Sequence, residues 1–145
     1  MGKEQSIPNV LFNASTILAG LKSPMGGSGK LLQWAKQKKI TGIISEVILD
    51  EVKRNINKVG ISKMSINKIA ALFPKLLPAP KKTTVVSFYK VVIDYGDAHI
   101  LASALEAGAQ FLVTLDKKHL LSLQNKIKNT NIVSPKQLIK ILSEK

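Results

Sequence analysis

Short apolar segments alternate along this chain with amphipathic segments, and this alternation constrains the fold more than any other feature. The predicted strands are residues 9–12 (NVLF), 40–45 (ITGIIS), 83–89 (TTVVSFY), 110–115 (QFLVTL) and 130–134 (TNIVS). Strands of this kind are buried on both faces and pair in parallel when helices connect them. The sequence therefore predicts an α/β fold, a three-layer α/β/α sandwich with a mostly parallel central sheet.

The intervals between these strands carry the periodicity of amphipathic helices. The predicted helices are residues 15–21, 29–39, 45–58, 61–73, 96–109, 117–124 and 134–142, the last with Pro135 at its start. Residues 73–82 (FPKLLPAPKK) are predicted to form a loop, because prolines interrupt them. A chain of 145 residues has the length of one ordinary domain, so we expect residues 1–145 to form a single domain.

The chain is strongly basic, with 22 basic and 9 acidic residues and a net charge of +13. This charge indicates a polyanionic partner such as a nucleic acid, although a basic surface that serves only solubility is the alternative. Arg54 is the one arginine, so lysines carry the field and contact phosphates as mobile point charges. We therefore expect contacts to a nucleic-acid backbone, with little reading of bases, from Lys30, Lys117 and Lys118.

The composition also bears on the compartment. The chain has no cysteine, and no uninterrupted apolar stretch approaches the roughly 20 residues that a membrane-spanning helix needs. We therefore expect a soluble, cytoplasmic protein that does not bind a membrane.

One carboxylate is predicted to point inward from a helix. In the predicted helix 96–109, Asp97 shares a face with Ile100 and Leu101, which must pack on the sheet. Its carboxylate then lies between the start of the helix and the sheet. The structural alternative is that Asp94 and Asp97 serve as an N-cap and its N3 partner, because carboxylates stabilise helix starts.

Other polar residues follow predicted strands. Asn13, Ser45 and Asp116 fall at the carboxyl ends of three strands, which is where parallel sheets bind ligands. Asp116 could instead cap the helix that follows it. In the helix that follows Ser45, Glu51 flanks the apolar face and is a better inward candidate than Asp50.

The chemistry of these side chains indicates a hard cation. Oxygen ligands from Asp and Glu, in a chain with two histidines and no cysteine, favour Mg²⁺ or Mn²⁺ over zinc. A cluster of carboxylates without a cation would repel itself. Together with a basic surface, such a site indicates cleavage of phosphodiesters, in which a metal activates water and stabilises charge on the phosphate.

Four segments resemble a PIN domain of the kind found as toxin nucleases in bacterial toxin–antitoxin pairs. They are VLFNAST (10–16), ISEVILDEV (44–52), the block from Asp94 to Leu120, and NIVSPKQLIKIL (131–142). The block is the most specific part, since an Asp opens an Ala-rich helix and the next strand ends in Thr-x-Asp. The resemblance extends over nearly the whole chain.

The resemblance implies a metal-dependent ribonuclease on a compact α/β/α sandwich, often dimeric and often held by a small antitoxin protein. It implies Glu51, Asp97 and Asp116 as the catalytic and metal-binding carboxylates. It also implies Asp94 as an auxiliary acidic residue, with Ser15 and Thr114 as polar neighbours.

Asn13 departs from the PIN pattern. PIN nucleases usually carry an aspartate at the end of the first strand, and this chain carries an asparagine there. The amide oxygen of Asn13 can still coordinate a cation, but it is neutral, so the pocket loses one full negative charge. Weaker metal binding follows from that loss.

Three functions are compatible with these features. The first is an endoribonuclease that uses Mg²⁺ or Mn²⁺ at Glu51, Asp97 and Asp116. The second is a binding module that keeps its RNA groove or antitoxin surface and has lost catalysis through Asn13. The third, a carboxylate phosphatase or receiver-like domain, is disfavoured because no paired acidic residues follow the first strand.

The sequence does not assign the histidines or the aromatic residues to a site. His99 and His119 are expected to be solvated. Trp34, Tyr89 and Tyr95 are too scattered in the sequence to suggest a platform for stacking bases.

Overall fold

The structure is a computed structural model that describes residues 7–60 and 66–144. In the order of the chain, its elements are β1 (Asn9–Phe12), α1 (Ala14–Lys22), α2 (Gly27–Lys36), β2 (Thr41–Ser45), α3 (Glu46–Asn55), a 3₁₀ helix (Ile56–Val59), α4 (Ile66–Ala71), β3 (Lys75–Leu77), α5 (Lys82–Ser87), α6 (Gly96–Ala107), β4 (Phe111–Val113), a second 3₁₀ helix (Leu121–Leu123), β5 (Asn131–Val133) and α7 (Pro135–Ser143).

The described part of the chain forms a five-stranded sheet of order β3-β2-β1-β4-β5, and each neighbouring pair is parallel. β1 is the central strand, and its Val10, Leu11 and Phe12 are fully buried. A strand with helices on both sides needs apolar residues at successive positions, which is what its sequence supplies. The predicted fold class is confirmed: an α/β protein with a parallel central sheet flanked by helices.

The direction of the chain across the sheet changes once. From β1 the chain moves outward through β2 to β3, and it then returns to the other side of β1 as β4 and β5. Because crossovers between parallel strands are right-handed, the two directions place their helices on opposite faces. Accordingly α1 packs against α2 and α3, and α2 packs against α7, whereas α5 packs against α6.

Two predictions in the middle of the chain are wrong. Residues 83–89 were predicted to be a strand, but Lys82–Ser87 form α5. Val85 and Phe88 are buried while Val86 is 48% exposed, and this three-residue spacing of the buried positions is helical rather than alternating. The packing of this face on α6 therefore overrides the β propensity of the Thr and Val residues.

The fifth strand lies instead inside residues 73–82, which were predicted to be a loop. Lys75–Leu77 pair with β2 as an edge strand, with Ile43 opposite Lys75. Lys75 and Leu76 are exposed, as edge positions can be, so this strand lacks the apolar run of a buried strand.

Three helix predictions also need correction. Residues 117–124 form turns and a short 3₁₀ helix rather than one helix, because the turn after β4 closes around Asp116. The helix predicted to reach residue 58 ends at Asn55 and continues as the first 3₁₀ helix. Of the helix predicted at 61–73, residues 66–71 form α4, and residues 61–65 lie outside the described part of the chain.

Helix length and apolarity bear on membrane insertion. Within residues 7–60 and 66–144, no helix is both long enough and apolar enough to cross a bilayer.

Candidate metal centre

The site lies where the strand order of the sheet reverses. β1 and β4 are neighbours whose connections leave in opposite directions, and the crevice at the carboxyl ends of such strands is the usual ligand site of parallel sheets. Phe12 and Val113 are paired at this edge. The residues that follow them, Asn13 and Thr114, are both buried and polar.

A hydrogen-bond network joins the ends of these two strands. The Asn13 Nδ2 donates to Thr114 Oγ1 over 2.8 Å, and the backbone N–H of Asp116 donates to the same oxygen over 3.1 Å. The Asn13 Oδ1 accepts from the backbone N–H of Ala14 over 2.8 Å, at the start of α1. Asn13 is therefore both a helix cap and a member of the crevice, linked through Thr114 to Asp116.

The first turn of α1 is also fixed to the end of β4. Ser15 Oγ accepts a hydrogen bond of 3.3 Å from the backbone N–H of Leu115. Thr16 Oγ1 donates to the carbonyl oxygen of Val113 over 3.3 Å. Ser15 and Thr114, the two predicted polar neighbours, thus position backbone at this edge.

Asp116 is held in a tight turn. Its Oδ1 accepts from the backbone N–H of His119 over 2.9 Å, so it closes a turn, and the helix that Asp116 was predicted to cap is not formed. Its Oδ2 lies 3.1 Å from His119 Nδ1. The imidazole therefore pairs with the carboxylate and orients it.

Asp97 lies in the first turn of α6, half-buried, with its Oδ2 buried and without a hydrogen-bond partner among the described residues. Burial raises the pKa of the Asp97 carboxyl, and the charge of Asp116 raises it further. His119 acts in the opposite direction and lowers this pKa. One ligand atom from each of Asp97, Asp116 and His119 lies within 4.8 Å of the other two, all on half-buried side chains.

Two more predicted carboxylates contribute charge to this group. Asp94 and Glu51 each raise the pKa of Asp97, with smaller effects than burial or Asp116. Asp94 Oδ1 accepts a hydrogen bond of 2.9 Å from the N–H of Gly96, at the start of α6. Glu51 is half-buried on α3, and its carbonyl oxygen accepts from Asn55 Nδ2. The structure therefore brings Asp97 and Asp116 together with His119, and this ligand group does not include Asp94 or Glu51.

The family comparison agrees with this geometry. The family model described as the PIN domain matches residues 9–118 of the chain, from the start of β1 to just beyond Asp116. The chain belongs to the PIN domain family. The matched region contains the predicted carboxylates and Asn13, and it ends one residue before His119.

Solved structures with the same fold cover most of this PIN domain. The crystal structure of PAE2754 from Pyrobaculum aerophilum aligns with a TM-score of 0.66 at 20% identity, covering 95% of this chain and 97% of that chain. The structure of FitAB bound to an IR36 DNA fragment aligns with a TM-score of 0.60 at 15% identity, covering 87% and 94%. The structure of VapBC2 from Rickettsia felis bound to a DNA fragment from their promoter gives 0.59 at 17% identity, covering 87% and 98%. A search of curated proteins finds no match.

The side chains of the site fit a divalent cation, which PIN domains generally use. The buried oxygen of Asp97 has no donor among the described residues, and the surrounding carboxylates disfavour its charged form. A divalent cation held by Asp97 and Asp116 would satisfy this carboxylate and offset the repulsion between the two charges. The carboxylate oxygens of this donor set suit Mg²⁺ or Mn²⁺, whereas its imidazole nitrogen is a donor that transition metals bind more readily than Mg²⁺ does.

The expectation that both histidines are solvated is wrong. His119 is half-buried against Asp116, and His99 is half-buried on α6, with its Nδ1 buried and unpaired among the described residues. The signal for His119 is its spacing, because a residue three positions after Asp116 shares the same turn. The sequence analysis predicts a helix after Asp116 and no turn, so it does not identify this contact.

The predicted RNA-contacting lysines are exposed. Lys117 and Lys118 follow Asp116 directly in the turn after β4. Lys30 lies on α2 with its Nζ 5.5 Å from the centre of the Trp34 ring, a cation–π contact within its own helix. Lys117 and Lys118 are therefore the two that adjoin the carboxylates in the chain.

Proposed function

We propose that this PIN domain is a metal-dependent endoribonuclease, the toxin component of a cytoplasmic toxin–antitoxin pair. One arrangement carries the proposal: Asp97, whose Oδ2 is buried and has no hydrogen-bond partner among the described residues, offers a carboxylate oxygen within 4.8 Å of ligand atoms of Asp116 and His119. This group lies at the reversal of strand order. An unpaired buried carboxylate oxygen costs free energy in folding, and a bound ion is one of the arrangements that offsets this cost.

The proposed roles follow from the position of each side chain. Asp97 and Asp116 would hold Mg²⁺ or Mn²⁺, with Glu51 and Asn13 completing the set. Asp94 adds negative charge beside Asp97. When bound, the cation supplies an activated water and stabilises charge on the phosphate.

Side chains and backbone groups around the site hold the carboxylate of Asp116 and the ends of two strands in fixed positions. His119 holds one oxygen of Asp116, and the backbone N–H of His119 holds the other, so this carboxylate has a fixed orientation. Thr114 accepts from Asn13 and from the backbone of Asp116, which fixes the two strand ends together. A ligand set held in this way loses little conformational freedom when it binds a cation.

Charge supports RNA as the substrate. The net charge of +13 attracts a polyanion, and Lys117 and Lys118 place two positive charges directly after Asp116. These lysines contact phosphates without reading bases, so we propose that they bring the backbone of RNA to the carboxylates. Lys30 contributes to the same field from α2.

The proposed partners are a small antitoxin protein and a second copy of the chain. FitAB and VapBC2, two of the structures with the same fold, are described as bound to DNA fragments, in the case of VapBC2 a fragment of the promoter. By analogy, a small antitoxin would hold the PIN domain when it is inactive. The domain itself would be a homodimer.

A second candidate rests on Asn13. Its amide is neutral, its oxygen accepts from Ala14 and its nitrogen donates to Thr114, so it brings no charge to the cation. A chain in which this loss has removed catalysis would be an RNA-binding or antitoxin-binding module with a PIN fold. This candidate predicts Mn²⁺ binding no tighter than that of the Asp97→Asn variant.

The experiment measures cleavage of RNA in millimolar Mn²⁺ by wild type, Asp97→Asn and Asn13→Asp. Asp50→Asn is the matched control, because Asp50 pairs with Arg54 on the exposed side of α3. Cleavage by wild type and by Asp50→Asn, lost in Asp97→Asn, supports the nuclease. Cleavage only by Asn13→Asp supports the degenerate module, and undiminished cleavage by Asp97→Asn refutes the proposed site.

A further inference from the structure

Two tyrosines form a stack beside the start of α6. The rings of Tyr89 and Tyr95 have centroids 4.4 Å apart and an angle of 14° between their planes. Two of the aromatic residues that were expected to be too scattered for a platform are therefore in contact. The turns between α5 and α6 bring together two residues that are six positions apart in the sequence.

The two rings differ in exposure. Tyr89 is half-buried and packs against the hydrophobic core, whereas Tyr95 is 63% exposed. The inner ring is thus fixed by the core and holds the outer ring in place. An exposed aromatic ring that is already immobilised binds a second flat group with little loss of conformational freedom.

The stack adjoins the candidate metal centre. Tyr95 lies between Asp94 and Asp97 in the chain, and the backbone N–H of Asp97 donates to the carbonyl oxygen of Asp94 over 2.9 Å. The charge of Asp94 is one of those that raise the pKa of Asp97. A ligand stacked on Tyr95 therefore lies at the residue that precedes α6, the helix whose first turn carries Asp97.

We propose that Tyr95 is a stacking platform for one unpaired base of single-stranded RNA. The inference rests on the proposed function and specifies its substrate, because a base inside a duplex is not available for stacking on a side chain. Charge favours this occupant, since the exposed Lys90 follows Tyr89 and the chain carries a net charge of +13. Stacking tolerates any base, which agrees with a surface whose lysines contact the backbone alone.

The competing explanation is that the ring pair serves only the stability of the α5–α6 connection. That explanation predicts a lower melting temperature when Tyr95 is truncated and no change in RNA affinity. If Tyr95 is a stacking platform, its truncation weakens RNA binding and changes the melting temperature little, because Tyr95 is the more exposed ring. The two explanations therefore differ in a binding measurement.

The experiment measures binding of the full chain to a short single-stranded oligoribonucleotide that contains a fluorescent purine analogue, in EDTA so that metal-dependent cleavage cannot occur. We expect Tyr95→Ala to weaken binding about fivefold or more and to abolish the quenching of the analogue. Tyr95→Phe keeps the ring and should bind within about twofold of wild type. Melting temperatures of all variants confirm that each is folded.

The control variant is Ile93→Ala, because Ile93 is 62% exposed in the same connection and carries no ring. Equal weakening by Ile93→Ala, unchanged binding by Tyr95→Ala, or the same dependence on Tyr95 with duplex RNA would each overturn the inference. The outcome is independent of catalysis. Absence of cleavage in Mn²⁺ with intact stacking refutes the nuclease alone, and cleavage without stacking refutes the platform alone.

Discussion

The side-chain amide of Asn13 donates a hydrogen bond of 2.8 Å to Thr114 Oγ1, and this bond connects the carboxyl ends of β1 and β4. The hydroxyl oxygen also accepts from the backbone of Asp116, so it acts here as an acceptor for two donors. An aspartate has nearly the same shape as an asparagine but cannot donate. The hydroxyl of Thr114 would then donate to the carboxylate, and the network would persist with one bond reversed.

Asn13→Asp is expected to increase the affinity for Mn²⁺ by about tenfold or more, because it adds one negative charge at the crevice. The same charge should lower the melting temperature in EDTA, where it repels the nearby carboxylates. Calorimetric titration with Mn²⁺ measures the first effect, and thermal unfolding with and without the metal measures the second.

Asn9→Asp is the matched control, because Asn9 begins the same strand at the opposite end of the sheet. It adds the same charge away from the crevice and should leave Mn²⁺ affinity unchanged. An equal gain in both variants would mean that the metal responds to net charge and does not bind at the end of β1.

Asp97→Asn is expected to raise the melting temperature of the metal-free protein at neutral pH. Burial and the charge of Asp116 raise the pKa of Asp97, so the folded state favours the protonated carboxyl. The stability that protonation provides is complete below the pKa of the unfolded chain and is lost as pH rises through the higher pKa of the folded protein. Asparagine has the charge of the protonated acid at every pH.

The difference between Asp97→Asn and wild type should therefore grow as pH rises and disappear at about pH 3, below the pKa of an unfolded aspartate. Thermal unfolding in EDTA across this pH range measures it. Saturating Mn²⁺ should reverse the order at neutral pH by stabilising wild type more than the variant. A difference that does not depend on pH would contradict the account of Asp97.

The local pattern of apolar residues was sufficient to predict the elements whose structure depends on neighbours in the sequence. β1 could be predicted because a strand buried on both faces is a continuous apolar run, and the positions of Asn13 and Asp116 follow from where such strands end. α5 could not be predicted, because its Val and Thr residues favour a strand. The helix forms there because it packs on α6. β3 is an edge strand with little burial, so it leaves almost no apolar pattern.

In the candidate site too, some features follow from sequence periodicity and others depend on irregular structure. The inward face of Asp97 follows from helical periodicity, and the structure sets this residue in the first turn of α6 beside Asp116. The pairing of His119 with Asp116 depends on a turn, and the stacking of Tyr89 on Tyr95 depends on an irregular connection. Neither geometry has a periodicity that a single sequence could reveal.

His119→Ala is expected to weaken Mn²⁺ binding about tenfold or more, because it removes the partner that orients Asp116 Oδ2 and a nitrogen within reach of the same cation. Calorimetric titration measures the affinity, and pulsed electron paramagnetic resonance of bound Mn²⁺ tests for nitrogen coupling that disappears in the variant. His99→Ala removes the other imidazole, which is outside this ligand group, and should leave both readouts unchanged. Equal affinities of wild type and His119→Ala would exclude the histidine from the centre.

Replacing Lys117 and Lys118 together by glutamine is expected to weaken RNA binding for all sequences alike and to reduce its dependence on salt. Each phosphate contact on a single strand contributes roughly 0.7 to the slope of log affinity against log salt, so losing two contacts should reduce that slope by about 1.4. Lys126 and Lys128, both exposed, give a control pair with the same change in net charge. Fluorescence anisotropy at several salt concentrations measures both slopes. Equal slopes for the two double variants would show that RNA responds to the overall charge of the protein, whereas a smaller slope for the first pair alone places the RNA backbone beside Asp116.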